Sequence, residues 1–206
     1  MTKDELIQSL QKDGYLKTPS IIDAFTAVDR KNFVPAEYSE DAYVNAPLPI
    51  GLEQTISQPL TVAFMLELLK PSPGEKILDV GAGSGWQTAL LAHCVGETGT
   101  IIGIERIKEL QDVAIKNIAR YPELEKRIKI VLSDGSKGYE PEAPYDKIIA
   151  AAAGSEIPSE WKIQIKTGGV IVAPVKQSIV VIHKITPEHF DIKEYFGFNF
   201  VPLVKE

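Results

Sequence analysis

The sequence of 206 residues predicts an α/β fold, a doubly wound, mostly parallel sheet with a helical extension at its N-terminal end. Three observations predict it. In Ile77-Leu78-Asp79-Val80-Gly81-Ala82-Gly83-Ser84-Gly85-Trp86 a short apolar run is followed by three alternating glycines and then a helical stretch, 86–95. From Glu75 onward, apolar runs of strand length alternate with helical periodicity, the pattern of a parallel sheet covered on both faces. The last two strand candidates, 178–185 and 192–200, are separated by a turn near Pro187, too short for a crossover helix, so they pair antiparallel.

Taken in order, Thr2-Lys3-Asp4-Glu5 has the spacing of a capping box. Leu6, Ile7 and Leu10 follow at helical spacing, and Gly14 stops the helix. Thr18-Pro19 starts a second helix, with threonine as N-cap and proline at the first helical position. Its apolar face is Ile21, Ile22, Phe25 and Val28, and Phe33-Val34-Pro35 ends it. The chain then reads as loop to Gly51, with Pro47 and Pro49 keeping it extended. The polar stretch 51–59 feeds an apolar helix, 60–69, which puts Ser57 at or near a helix N-terminus. Ser57 is then either a plain N-cap or a hydroxyl at the positive end of a helix, facing the glycine loop.

The parallel strands are 77–80, 100–105, 128–132, 146–151 and 170–173, which with the two antiparallel candidates makes seven. Helices at 86–95, 107–121 and 158–166 lie between them. One domain is expected, 1–58 forming a helical extension and a covering loop and 59–206 the core.

Composition narrows the function. A net charge of −6 argues against a surface built to grip nucleic acid. Cys94 is the one cysteine, and His93, His183 and His189 are scattered, so there is no zinc spacing and no metal is expected. No apolar run is long enough to span a bilayer and none reads as a signal peptide, so a cytoplasmic monomer without membrane contact is expected. Cys94 and Met65 read as core, His93 as partly exposed, Trp86 as a packing residue, and the charge run 123–129 as solvated surface.

In a sheet of this kind ligands bind at the carboxyl ends of the strands, where strand order reverses. Gly81, Gly83 and Gly85 belong to a loop that approaches a ligand closely. Three acids stand at strand ends: Asp79, Glu105 and Asp134. A carboxylate closing the second parallel strand suits a ribose diol, whose two hydroxyls it can accept. The loop lacks the G-x-G-x-x-G of dinucleotide enzymes, which favours an adenosyl ligand without a pyrophosphate.

LDVGAGSGW, then IERI, then SDGSKG, in that order, resemble the S-adenosylmethionine-dependent methyltransferases of the Rossmann-like class. More narrowly, PLPIGLEQTISQP, LKPSPGEKILDVGAGSGWQTALLA, GIERIKEL, APYDKIIAAAA, IPSEW and FVPL resemble the protein-L-isoaspartate O-methyltransferase family. The resemblance covers Phe33 to Leu203, and its most distinctive piece is Thr55-Ile56-Ser57-x-Pro59. It implies an S-adenosylmethionine cofactor, with S-adenosylhomocysteine as product, and isoaspartyl peptides and proteins as partners. Gln54, Thr55, Ile56 and Ser57 would fold over the cofactor. Gly81 to Gly85, including Ala82 and Ser84, would pass its methionine part. Glu105 and Arg106 would take the ribose, and Asp134-Gly135 the adenine, with Asp79 beside the loop. Ser57 would be the catalytic serine, and Leu60, Val201, Pro202 and Leu203 would meet the substrate. The resemblance also implies an extra N-terminal helical element and an unusual placement of the last two strands.

The chemistry follows from the acceptor. A free α-carboxylate has a pKa near ~3.5, so it is ionised at neutral pH and needs no general base. What remains is orientation, which Ser57 would provide by a hydrogen bond. The chain departs from the family pattern at Leu60 (usually histidine or tyrosine), Glu53 (commonly glycine) and Lys176 (usually glycine after the valine). Two other readings stay open: the same fold with another acceptor, such as a small carboxylic acid or RNA, and a cofactor-binding relative without turnover.

Overall fold

The computed structural model describes residues 1–204. Its centre is a seven-stranded sheet of β3 (Lys76–Val80), β4 (Thr100–Glu105), β5 (Ile128–Leu132), β6 (Tyr145–Ala150), β7 (Ile165–Val175), β8 (Ser178–Lys184) and β9 (Phe190–Phe196). The spatial order is β5-β4-β3-β6-β7-β8-β9. The first five pair in parallel, and β8 runs antiparallel to both β7 and β9. The order reverses between β3 and β6, so a crevice opens at the carboxyl end of these two strands. The last two strands follow one another outward, the antiparallel ending that the short turn between them requires.

Strand alternation builds two cores. Ile77, Ile101, Ile149 and Val172 face one layer, while Leu78, Ile102, Ile148 and Ile171 face the other. The central strands β3, β4 and β6 are buried on both faces, which is why they read as largely apolar runs, whereas the edge strands β5 and β9 are mostly half-buried or exposed. The larger layer holds α3 (Pro59–Leu69), α4 (Trp86–Val95) and α5 (Lys108–Ile118). It also holds the N-terminal helices α1 (Lys3–Lys12) and α2 (Pro19–Ala27), through Leu6, Leu10, Ile21 and Phe25. Each such side chain contributes roughly 1.5–3 kcal/mol on burial. Helix α4 packs against α2 on one side and β3 and β4 on the other, which explains its nearly unbroken burial. Across the α2–α4 contact, Phe25 meets Trp86 edge to face at 5.4 Å.

The capping box of Thr2 and Glu5 forms as expected. Thr18 behaves differently: its side chain makes no cap bond and its hydroxyl donates to Glu67 Oε2, while its N–H and that of Lys17 donate to Glu67 Oε1, all at 2.7 Å. The threonine thus ties the extension to α3.

Several boundaries move. Helix α2 stops at Ala27, before the expected Phe33-Val34-Pro35, and short 3-10 turns, Arg30–Phe33 and Ala36–Asp41, follow. The expected loop ends in a hairpin, β1 (Leu48–Gly51) paired with β2 (Gln54–Ile56). Its two-residue turn, Leu52-Glu53, has φ of +53° and +59°, the mirror-image turn that matches strand twist. The helix expected over 107–121 ends earlier, as α5 at Ile118, and a separate short helix, α6 (Pro122–Glu125), starts at the proline beyond it. Helix α7 (Ser159–Gln164) is shorter than expected, because β7 already begins at Ile165. Trp86, Cys94 and Met65 are core, and His93 is partly exposed beside Asp23 at 2.7 Å. Lys176, at φ +55°, is an exposed residue of the β7–β8 turn. Among the described residues no helix is long and apolar enough to cross a membrane.

Candidate active site

The crevice between β3 and β6 opens into a cavity of about 660 Å³, part of it open to solvent. The glycine loop supplies Gly81 and Gly83, the end of β4 supplies Glu105, Arg106 and Ile107, and the turn after β5 supplies Ser133 and Gly135. Gln54 and Thr55 of β2 cover it, and Val201, Pro202 and Leu203 close the far side.

The loop is shaped by backbone geometry. Gly81 and Gly83 have φ of +84° and +56°, a region that L side chains rarely enter. A Cβ on Gly81 would point at Ala151 and Ala152, about 4 Å away, on the opposite wall of the crevice. Gly85 is different: it is not part of this cavity's lining, and a Cβ there would press on Ile118 at 3.1 Å and Ala114 at 3.3 Å. Its role is to let α4 pack against α5.

Glu105 is 5% exposed and largely engaged with backbone. Oε2 accepts the N–H of Gly83 at 2.9 Å, and Oε1 accepts those of Arg106 and Ile107 at 2.8 and 2.9 Å. Of the roughly four acceptor directions of a carboxylate, one on Oε2 remains for a ligand hydroxyl. Expected acceptance from both hydroxyls of a diol therefore meets an acid already largely occupied.

Asp79 does not line the cavity. It is wholly buried and accepts from Gln87 Nε2 at 2.7 Å and Thr88 Oγ1 at 2.6 Å, clamping the end of β3 to α4. Burial, reinforced by the nearby charge of Glu105, pushes its carboxyl up to about 6 against the pull of those two bonds. Asp134 is also absent from the lining; it caps its own turn by accepting from Ser136 N–H at 2.9 Å and lies 3.6 Å from Lys137 Nζ. Its neighbours Ser133 and Gly135 line the cavity instead. Trp161 of α7 fixes this turn by donating to Gly135 O at 2.9 Å. A Cβ on Gly135 would lie 2.4 Å from Val80, so the turn can approach β3 this closely only with glycine.

A smaller crevice of about 320 Å³ runs behind the loop, lined by Ala82, Ser84, Ile56 and Ser57 among others. Ser84 Oγ is buried there with no hydrogen-bond partner among the described residues. A second large cavity, about 720 Å³, is lined by Pro47, Ser57, Gln58, Thr61, Asn199 and Phe200. Thr55, Ala151 and Val201 line both this and the first cavity, so the two meet along a shared wall.

Ser57 is not the N-cap of α3. Gln58 holds that position, and Pro59 starts the helix. Ser57 lies one residue earlier and lines the second cavity, while its carbonyl accepts from Arg30 Nη2 at 3.1 Å. Leu60 lines neither cavity; it packs against the larger core and donates its N–H to Asn45 Oδ1 at 3.0 Å. Pro202 and Leu203 line only the first cavity, and Val201 lines both. Sequence reasoning missed the wall residues Ala151 and Ala152. They follow β6 as the glycine loop follows β3, so the strand-end rule applied to β6 would have found them.

Comparison with known proteins agrees with this geometry. The family model described as protein-L-isoaspartate(D-aspartate) O-methyltransferase matches residues 1–206. The protein-L-isoaspartate O-methyltransferase of Methanopyrus kandleri is 40% identical over 99% of this chain and 92% of its own length. That of Ignicoccus hospitalis is 42% identical over 99% of this chain and 98% of its own. A crystal structure from Plasmodium falciparum, in complex with S-adenosyl-L-homocysteine, superposes over 100% of both chains with a TM-score of 0.90 and 26% identity.

Proposed function

The chain belongs to the protein-L-isoaspartate(D-aspartate) O-methyltransferase family, and on that premise we propose how its own residues carry the reaction. The activity is methyl transfer from S-adenosylmethionine to the free α-carboxylate of L-isoaspartyl residues, which opens repair through a succinimide. One observation carries the assignment of residues: two cavities share the wall of Thr55, Ala151 and Val201, one beside the glycine loop and the other beside Ser57.

The first cavity fits the cofactor. Its strand-end acid and its glycine loop without a Cβ at Gly81 or Gly83 suit a ribose and a polar amino-acid end, while the hydroxyl of Ser84, without a partner among the described residues, lies in the smaller crevice behind that loop. In our reading Glu105 receives a ribose hydroxyl, Gly81 to Ser84 pass the methionine part, and Ser133 and Gly135 face the adenine. Ile104, Ile107 and Leu110 give the ring an apolar bed. When bound, S-adenosylmethionine supplies a methyl group on an electron-poor sulfonium.

The second cavity receives the peptide. The acceptor carboxylate arrives ionised, so no side chain has to remove a proton. Ser57 donates a hydrogen bond to one carboxylate oxygen and leaves the other aimed at the shared wall. Orientation of this kind supplies a large part of the rate in displacements between two bound groups. Thr55 and Val201 line the junction from both sides.

The test is a methyl-transfer assay with an isoaspartyl peptide beside its normal aspartyl twin. Base-labile methyl ester should form on the first alone. Equal labelling of both peptides, or of neither, rejects the reading.

A further inference from the structure

Arg30 is a buried cation without an anion. It is 2% exposed, yet among the described residues no carboxylate pairs with it. Its partners are carbonyl oxygens: Nη1 donates to Ala42 O at 2.7 Å and Val44 O at 3.3 Å, and Nη2 to Ala46 O at 3.0 Å and Ser57 O at 3.1 Å. The guanidinium carbon lies 5.3 Å from the centre of the Trp86 ring, and Nε is buried with no partner. Burial lowers its pKa to about 10, which leaves the charge in place at neutral pH.

An unpaired buried charge is strongly unfavourable, and the usual remedy is a buried carboxylate beside it. The chain leaves that place empty. The second cavity presents the complementary anomaly. In the reading proposed above it receives a carboxylate, yet its lining, which includes Pro47, Thr55, Ser57, Gln58, Thr61 and Asn199, holds no cationic side chain. Arg30 lies directly behind this wall. It holds the carbonyls of Ser57, a lining residue, and of Ala46, the residue before Pro47.

We propose that Arg30 is the buried counter-charge of the acceptor carboxylate and the positioning residue that fixes Ser57. Its fork pins the backbone on either side of the cavity, and its unspent positive charge makes the cavity attractive to an anion. This preorganises the site electrostatically with no cation able to pair with the acceptor and hold it too tightly. The proposal rests on the methyltransferase reading above.

The experiment compares an isoaspartyl peptide bearing the free α-carboxylate with its α-carboxamide twin. Binding of each is measured by calorimetry in the presence of S-adenosylhomocysteine. A unit charge behind the wall, at an effective dielectric constant of about 20, gives the carboxylate an advantage on the order of tenfold in the wild type. Arg30→Gln should erase most of that advantage with S-adenosylhomocysteine affinity unchanged. Arg30→Lys keeps the charge but not the fork, so it should retain the preference while turnover falls. A wild type without preference overturns the proposal. So does Arg30→Gln losing both peptides equally, the behaviour of a mere loop staple. If Arg30→Gln does not fold, Arg30→Lys decides alone: loss of preference with the charge retained overturns it. Methyl transfer by the wild type is scored separately. Its absence rejects the functional reading, whereas the carboxylate preference is read from binding.

Discussion

Glu105 Oε2 accepts the backbone N–H of Gly83 at 2.9 Å, so the acid that closes β4 is fastened to the loop that follows β3. The same carboxylate gathers the N–H groups of Arg106 and Ile107. One side chain therefore sets the positions of two loops before any ligand arrives. Charge-assisted bonds of this kind are the stronger sort, and their donors are expensive to leave unpaired in a buried setting.

Glu105→Ala should consequently show two effects together. Cofactor affinity should weaken by ~1.5–3 kcal/mol, the range for a hydrogen bond to a charged group. The melting temperature should fall as well, because buried N–H groups lose their acceptor. Isothermal titration with S-adenosylhomocysteine and a melt measure both. Unchanged affinity would remove Glu105 from the ligand site and leave it a loop tie.

Ser57→Ala should barely alter stability, within about 0.5 kcal/mol, because the residue is not the cap of α3 and its carbonyl bond to Arg30 survives. Single-turnover methyl transfer should drop on the order of a hundredfold, the scale for lost orientation. Ser57→Thr keeps the hydroxyl but adds a methyl group in the acceptor cavity, and should lose much of the rate while folding normally. A full single-turnover rate in the alanine variant would reduce Ser57 to a wall residue.

Asp79 makes stability depend on pH in an unusual direction. Its carboxyl is held at about 6, above the ordinary 3.8. Between those values the folded state keeps a proton that the unfolded chain releases, so stability from this group falls as pH rises through the window. Above about 6 the penalty is constant, on the order of 3 kcal/mol. Asp79→Asn removes the ionisation. Denaturant unfolding at pH 4 and pH 7 should show wild-type stability, taken relative to the variant, lower at pH 7 by about 2–3 kcal/mol. A difference that does not change with pH would contradict the assignment.

The turn Leu52-Glu53 stores strain, since both residues sit at positive φ where L side chains are disfavoured. Glu53→Gly should stabilise the fold by ~0.5–1 kcal/mol, the relief being partly offset by the greater freedom of glycine in the unfolded chain. In a chain of this size that raises the melting temperature by about 1–4 °C. A lower melting temperature would show that Glu53 makes a compensating contact.

Much of this was legible in the sequence, for identifiable reasons. The central strands β3, β4 and β6 and helix α4 were readable because they are buried on both sides, so their runs are largely apolar. The hairpin β1–β2 was not. Its strands are short, they carry Pro47 and Pro49 before and within β1, and the turn lacks the Asn-Gly pair that usually signals this geometry. The sequence located Glu105 at the cavity because spacing and strand end coincide. Asp79 and Asp134 stand outside the lining of that cavity: spacing cannot say whether a carboxylate looks into a crevice or back into its own scaffold. Ser57 was legible only by resemblance, since one polar residue before a helix has several readings. Arg30 carried no signal: a lone arginine in a polar stretch looks solvated until the carbonyls of four separate residues are seen to surround it.

The far side of the crevice is attached lightly. Beyond Phe198, stacked on Phe64 at 5.3 Å, the strip reaching Leu203 is joined to Ala153 by two backbone hydrogen bonds, one from Ala153 N–H to Val201 O and one from Leu203 N–H to Ala153 O, each 2.8 Å. Such a junction opens with a free energy far below that of global unfolding. Amide exchange at Leu203 should then outpace exchange in β3 and β6 by orders of magnitude. If a spent ligand leaves by this side, its dwell time depends on the two bonds of this seam and not on the strength of the sheet, and residence time and heat resistance can then be tuned independently.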